Sequence, residues 1–473
     1  MLTAKLFTED AVRFHTLFVL SGIAFGLPFL SGRSAWASDC TNRSYVRSQL
    51  QGEFHPEVPP AIVQQCSQQI VVIVADILVS DPNPEYRRFA AHTFRFLKGE
   101  NYQDVELPAL LDAVRSDPDP DVRYYAVVNI YFFDLTSEAQ ALVLSVMSEA
   151  LESDPSAKVR RGVVMNFPQL TFLEKDLVQT MVPVLVGRLE SDSDPEVRRN
   201  TATSLGEIRD SQSLQLAIPV LLTALKSDAD PEVRAESALS LGLLMTENDQ
   251  DEFRQAVISE LITTLQSASD AVVRRSSALA LDKLILESDL VLPALLTAVA
   301  TDPEAGVRSA AIWALIQRWN KPAFWEDTSM SPAFSWLQPA NPTQTKEVLQ
   351  AIIPALGKTL ASDPNSDVRQ SAAYASGDIG TALVLLKDEL KNETLSQAIS
   401  LLAKVLATAE STEGLTEDEV TLIREPLNTL KQERMNRRLQ RIAWVGVPFL
   451  GMGGLSWLGR KRWRHKKTQA TPL

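Results

Sequence analysis

The chain has 473 residues, 45% of them hydrophobic, with 59 acidic against 46 basic side chains and a formal net charge of -13. The basic residues are unevenly placed: residues 431–473 hold 11 of them beside 1 acidic residue, leaving 35 basic against 58 acidic side chains in the rest. That balance argues against nucleic-acid binding by the body of the chain, which needs clustered Lys and Arg to neutralise phosphates. Two cysteines and 4 scattered histidines likewise supply no paired-ligand metal motif.

At the N-terminus, residues 16–32 form an apolar stretch, preceded by Lys5 and Arg13 and followed by Ala35-Trp36-Ala37. Small residues at minus three and minus one before Ser38 predict a signal peptide over 1–37, with an uncleaved signal anchor as the competing reading. Residues 38–69 read as an N-terminal cap segment. It holds both cysteines, Cys40 and Cys66, and one stapling disulfide and two free thiols both fit the pair.

From 70 to 408 one motif recurs in eight copies: a Ser-Asp turn with proline, an apolar residue, an arginine, then small residues. The arginines are Arg87, Arg123, Arg160, Arg198, Arg234, Arg274, Arg308 and Arg369, spaced by 36, 37, 38, 36, 40, 34 and 61 residues. Before each turn runs an apolar helix pattern, as in Leu107, Leu110, Leu111 and Val114; after it, Asp119 suits a cap and Pro120 a first helical position. A period near 40 made only of helical segments predicts an all-α chain, an α-solenoid or superhelix of about eight helix pairs. Within the second helix of each pair, the fourth residue after the apolar one reads Ala90, Ala126, Val163, Thr201, Ser237, Ser277, Ala311 and Ala372, small wherever helices must approach closely.

The turn aspartates Asp81, Asp117, Asp154, Asp192, Asp228, Asp302 and Asp363 recur once per stacking unit, as the arginines do. That regularity predicts a structural ladder, each arginine reaching an aspartate of its own or the neighbouring repeat, and not an ion-binding site. The sixth copy departs, with Ala268 for the aspartate and Ala271 for the proline, and predicts the least rigid turn.

Between the seventh and eighth copies an insertion at 319–345 carries Trp319, Phe324, Trp325, Phe334 and Trp336 among four prolines. Two readings stand: a cover for the solenoid's edge, or a protein-binding loop with aromatic anchors. Residues 409–441 read as a juxtamembrane helix opened by the capping box Thr416-Glu417-Asp418-Glu419. Residues 442–459 are uncharged throughout, with Trp444 and Trp457 near the edges, which predicts a C-terminal transmembrane helix followed by a basic tail at 460–473. With the exported start, this predicts a single-pass membrane protein whose repeats are extracytoplasmic, periplasmic or lumenal, and whose tail is cytoplasmic.

The repeat wording Asp-Pro-x-Val-Arg-x-x-Ala resembles the HEAT repeat family, and within it the branch named after phycobilisome lyases. The resemblance covers about residues 70–408 and implies the solenoid fold without implying an activity. His15, His55, His92 and His465 share no helix face, unlike the His-Glu pairs of HEAT-like metalloenzymes, and no phosphate loop or nucleophile elbow occurs. The leading expectation is therefore a non-enzymatic, membrane-anchored scaffold without cofactor or metal, binding protein partners on the concave face lined by the second helices together with the insertion. A basic partner suits the chain's charge. The resemblance implies one alternative, a bilin lyase-like or chromophore-handling protein related to phycobilisome lyases; a second alternative, an assembly factor for a membrane complex, is a special case of the scaffold.

Overall fold

The computed structural model describes residues 42–49, 60–97, 103–130, 136–170, 175–247, 251–284, 290–316, 348–385, 387 and 390–465. Every regular element among them is helical. The chain divides into two compact units, residues 1–133 and 134–473.

In the first unit, α1 (Arg43–Gln49) precedes two helix hairpins, α2 (Pro60–Ser80) with α3 (Pro84–Thr93) and α4 (Gln103–Ser116) with α5 (Pro120–Asn129). The hairpins stack like on like, α4 against α2 and α5 against α3. The second unit has helix hairpins of the same kind, the pairs α6 (Ser137–Ser153) and α7 (Ala157–Leu170), α8 (Lys175–Ser191) and α9 (Pro195–Gly206), and α10 (Ser211–Ser227) and α11 (Pro231–Glu247). It then runs on through α12 (Asp251–Ser267) and α13 (Ala271–Leu281), α14 (Val291–Thr301) and α15 (Ala305–Ile316), and α16 (Ile353–Ser362) and α17 (Ser366–Leu385). The first helix of each pair is helix A and the second helix B. A π-helical turn at Val348–Ile352 leads into α16.

The turns explain themselves atom by atom. The serine or threonine ending helix A folds its hydroxyl back to the carbonyl four residues earlier, as Ser116 does to Asp112 at 2.7 Å and Ser227 to Thr223 at 2.9 Å. The next residue, the aspartate, donates its own amide to helix A and accepts the amide two residues on, as in Asp194 N to Asp192 at 2.9 Å. That second residue then caps helix B: Asp119 accepts from the amides of Asp121 and Val122, and Asp194 from Glu196 and Val197. Two side chains thus satisfy the orphan amides and carbonyls that a helix-turn-helix would otherwise bury.

The small positions are where helix B is tightest: all eight, from Ala90 to Ala372, have no measurable exposure. Closeness between successive B helices is enforced further by glycine. A Cβ on Gly206 would lie 2.7 Å from the Ser240 hydroxyl, and one on Gly242 would lie 2.8 Å from the Ala280 Cα. Ser204 and Ser240 use that closeness, donating across the interface to the carbonyls of Val164 at 2.7 Å and Ala202 at 2.9 Å.

The last pair is α18 (Asn392–Ser411) and α19 (Glu417–His465). The capping box at its start forms, with the Thr416 amide donating to Glu419 at 2.7 Å and the Glu419 amide to Thr416 at 3.3 Å. Val420, Ile423, Leu427 and Leu430 are buried, and α19 packs on both α17 and α18. Arg437 clamps it further along, donating to the carbonyls of Leu390 at 2.7 Å and of Lys387. The start of the expected juxtamembrane helix is therefore the second helix of a ninth pair.

The expected membrane topology is overturned. Among the described residues no helix is long and apolar enough to cross a membrane. Residues 442–459, expected as a transmembrane helix, are instead the interior of the 49-residue α19. Their uncharged run sits near the lower length limit for spanning, includes five glycines and Pro448, and is bracketed in the same helix by Arg441 and Arg460. The single-pass localisation falls with it. The signal peptide at 1–37 lies outside the described residues.

Glu106 on α4 is an exception to the satisfied polar core. It is fully buried, and neither carboxylate oxygen has a hydrogen-bond partner. Burial disfavours its charged form and pushes its pKa from 4.5 to about 8. Between those values the folded chain keeps a proton that the unfolded chain has released, so the stabilisation is full below pH 4.5 and is lost as pH rises through about 8. Glu106→Gln is expected to raise the opening free energy of α4 by roughly 1–3 kcal/mol at pH 8 and to flatten its pH dependence. Hydrogen exchange across pH 5 to 8 reads this, and an unchanged slope refutes it.

A pair of glycine substitutions tests the close approach of B helices. Gly242→Ala is expected to cost about 1–3 kcal/mol by pushing α11 and α13 apart. Gly187→Ala, where nothing lies within 4 Å of the added Cβ, is expected to be neutral or stabilising by up to about 1 kcal/mol. Denaturant midpoints of the two variants give the comparison.

Candidate functional site

The repeating arginine stands in the first turn of helix B, where its guanidinium meets two turns at once. Arg87 donates through Nε and Nη2 to both oxygens of Asp117 at 2.7 and 3.0 Å, and through Nη1 to the carbonyl of Asp81 at 2.8 Å. In the second unit Arg160 does the same to Asp192 at 2.7 and 2.8 Å, and Arg198 to Asp228 at 2.8 Å twice. Arg274 reaches Asp302 at 2.8 and 3.1 Å, and Arg308 reaches Asp363 at 2.7 and 2.8 Å. The planar fork of arginine matches the two carboxylate oxygens, and the third nitrogen binds the carbonyl of its own turn, for example Asp154 or Asp192. Each such arginine ties its own turn to the next one. The Arg308 rung does so although 55 positions separate its partners, so α15 and α17 are neighbours in the B layer across the insertion.

Three positions complete the set. Arg123 donates to the carbonyl of Asp117 at 2.8 Å, and Asp154 accepts the amide of Ser156 at 2.8 Å. Arg369 donates to the carbonyls of Asp363 at 2.9 Å and Glu413 at 3.1 Å. There the next turn offers Thr412 where an aspartate stood, and a backbone carbonyl replaces the carboxylate.

Arg234 differs because Ala268 gives it no carboxylate. It turns to Asp270 two residues on, with a single bond of 2.7 Å from Nη2, while Nη1 binds the carbonyl of Asp228. Asp270 stands where Asp119, Asp194 and Asp230 cap their helices, and it makes no side-chain cap bond. One residue cannot serve both duties here. The rung is also the more exposed one, with 40% of the Asp270 side chain accessible against 8% for Asp228.

At Asp192 and Asp228 burial would raise the carboxylate pKa, but the arginine hydrogen bond, the turn amide and charge attraction outweigh it. Asp192 and Asp228 are held below the ordinary carboxylate range, and Arg160 and Arg198 are raised, first by their aspartate hydrogen bonds. All of these groups are committed to each other. The crevices beside the rungs, such as that lined by Asp192, Arg198, Ser227 and Asp228, recur with the repeat and present charges already bonded. Among the described residues no group of three or more His, Cys, Asp or Glu could hold a metal ion.

What each B helix leaves open is a narrow stripe opposite its buried side. On α11 this is Glu232, Glu236, Leu239 and Leu243; on α13 it is Val272, Arg275, Leu279 and Asp282. On α15 it is Gly306, Ser309 and Trp313, and on α17 Asp367, Gln370, Tyr374 and Asp378. A second, exposed pairing crosses some of these stripes, Arg161 to Glu196 in the second unit and Arg88 to Asp121 at 3.8 Å in the first.

Several residues escaped the sequence reading. Arg47 donates to Asp81 at 2.6 Å and stacks over Tyr86 at 3.5 Å, supplying a rung one step earlier than Arg87. The signal was there: Val46-Arg47 repeats the apolar-arginine pair 40 residues before Arg87. Asp270 stands at a cap position that the repeat motif does not link to an arginine, and Arg437 has no motif to mark it. The aromatic candidates Trp319, Phe324, Trp325, Phe334 and Trp336 lie outside the described residues, as does Cys40. The backbone at Cys66 falls within α2.

The family description "HEAT repeats" matches residues 144–242 and 218–316, a stretch within the second unit. Among solved structures, a crystal structure of Kap121p is similar at 15% identity with a TM-score of 0.53, covering 87% of this chain and 43% of that one. Importin beta, crystallised in an ammonium sulfate condition, is similar at 14% identity with a TM-score of 0.50, covering 85% and 58%. The chain thus spans about half the length of these structures, and the likeness is one of fold: an all-helical solenoid. No curated protein sequence matches the chain.

Arg198→Ala is expected to destabilise the second unit by about 3 kcal/mol, because it leaves the Asp228 carboxylate, 8% accessible, without its counter-charge. Arg234→Ala is expected to lose less, since its one bond to a carboxylate is to the solvated Asp270. Thermal and denaturant unfolding of the two variants decides this, and equal losses contradict the ranking.

Proposed function

We propose that the chain is a non-enzymatic scaffold that binds protein partners through the open stripes of its B helices together with the 319–345 insertion. The observation that carries this reading is the allocation of polar groups. The turn charges are spent on rungs and caps, whereas the B stripes combine half-buried apolar residues with acidic ones and lack the convergent geometry of a reaction centre. A HEAT-repeat array offers an extended surface and no enclosed site, which suits protein recognition. Partners with basic surface are favoured, given 35 basic against 58 acidic side chains in residues 1–430.

The insertion supplies the anchors in this proposal. Trp325→Ala with Trp336→Ala is expected to weaken partner capture by at least about 2 kcal/mol while helical content and melting temperature stay unchanged. Thermal unfolding and pull-down recovery on one preparation check it. Earlier melting with normal recovery makes the segment a cover for the helices instead. Absorbance of bound tetrapyrrole in the purified protein is the outcome that favours the chromophore-handling alternative over a scaffold.

A further inference from the structure

On the second unit, the open stripes of α11, α13, α15 and α17 align because these helices are consecutive neighbours in the B layer. Their middle positions share one register, five residues after the rung arginine: Leu239, Leu279, Trp313 and Tyr374. All four are half-buried, giving an apolar row that crosses the four helices. In the two preceding repeats the same position holds exposed Met165 and Thr203, so the row is continuous only from the fifth repeat to the eighth.

Two features say what could lie on it. The first is charge: the flanking stripe positions of these four helices are Glu232, Glu236, Asp282, Asp367 and Asp378 against Arg275. Glu236 bonds to Thr203 and burial raises its pKa, and Arg275, Asp282 and Asp378 already have contacts within the chain; with Glu232 and Asp367 exposed, the excess is still anionic. The second is spacing. Packed helices lie about 8–10 Å apart, so the row offers one apolar contact per such step. A polyproline-II strand rises about 3.1 Å per residue with three residues per turn, placing every third side chain on one face about 9 Å from the last. A β-strand repeats each face at about 6.6 Å, out of step with the row, and an α-helix, at about 5.4 Å per turn, meets it only at every second turn.

We propose that this row docks an extended, polyproline-II-like segment of a partner protein, with an apolar side chain at every third residue and lysine or arginine between. The apolar residues meet Leu239, Leu279, Trp313 and Tyr374 in turn, and the cations face the acidic flanks. Polyproline II has no internal hydrogen bonds and little freedom left to lose, so such a segment binds without first giving up structure. This inference rests on the scaffold reading and narrows it to one surface and one partner conformation.

The test uses the full chain and fluorescein-labelled synthetic peptides, read by anisotropy at two salt concentrations. The probe is five consecutive Leu-Pro-Lys triplets; controls place the leucine at every fourth residue, or replace lysine by glutamate. The triplet peptide is expected to bind about tenfold tighter than either control, the increment for losing one well-buried leucine contact or more. Leu279→Ser and Trp313→Ala are each expected to weaken it about tenfold, and circular dichroism and melting confirm the fold of each variant. Equal binding of three- and four-residue spacings, or full binding by both folded variants, overturns the proposal. Proximity labelling with the same variants separates it from the broader reading. Native neighbours lost on Leu279→Ser without a triplet preference leave the scaffold standing and sink only the conformation inferred here. Native neighbours kept by Leu279→Ser, by Trp313→Ala and by the insertion variant sink the scaffold as well.

Discussion

The arrangement of helices depends on one bidentate contact, the guanidinium of one turn laid across the carboxylate of the next. Alone, a pair of buried opposite charges is a weak source of stability, because desolvation offsets much of the attraction. Here the aspartate also receives its own turn's amide and the arginine its own turn's carbonyl, as at Asp192 and Arg198. Each rung is therefore a four-way junction that closes a helix end, opens the next helix and sets the step between repeats. Apolar packing supplies the bulk of the favourable energy, and the rung sets the register in which that packing occurs.

The consequences of a missing member show how the junction works. When Ala268 removes the carboxylate, Arg234 borrows Asp270, and α13 starts without its side-chain cap. When the following turn carries Thr412, Arg369 settles for the carbonyl of Glu413. At Arg308 the contact holds across an insertion long enough to disrupt a simpler stack. The unvarying part is the demand of a half-buried guanidinium for acceptors, and the identity of the acceptor is negotiable.

Because the turns absorb the charges, the B helices can devote one side to neighbours and expose a stripe on the other. Glycine and serine at 206, 240 and 242 draw these helices together until hydroxyls cross to the next backbone. Tight stacking keeps the stripes in step, which gives Leu239, Leu279, Trp313 and Tyr374 a shared line and not four unrelated positions. Recognition in the proposed sense is thus an outcome of the same small residues that hold the core.

The helix pairs, their turns and the small inward positions follow from the sequence itself, since capping, proline geometry and helical periodicity are local and act within a few residues of the motif. The partner of each rung arginine, the reassignment of Asp270, the earlier rung from Arg47 and the buried, lone carboxyl of Glu106 were decided by tertiary structure, because each depends on a residue some 30 or more positions away or on the absence of one. The C-terminal helix illustrates the limit most plainly. Composition over 442–459 suggested a span, but the start of the same helix buries Val420, Ile423, Leu427 and Leu430 against α17 and α18, a packing that no local hydropathy contains.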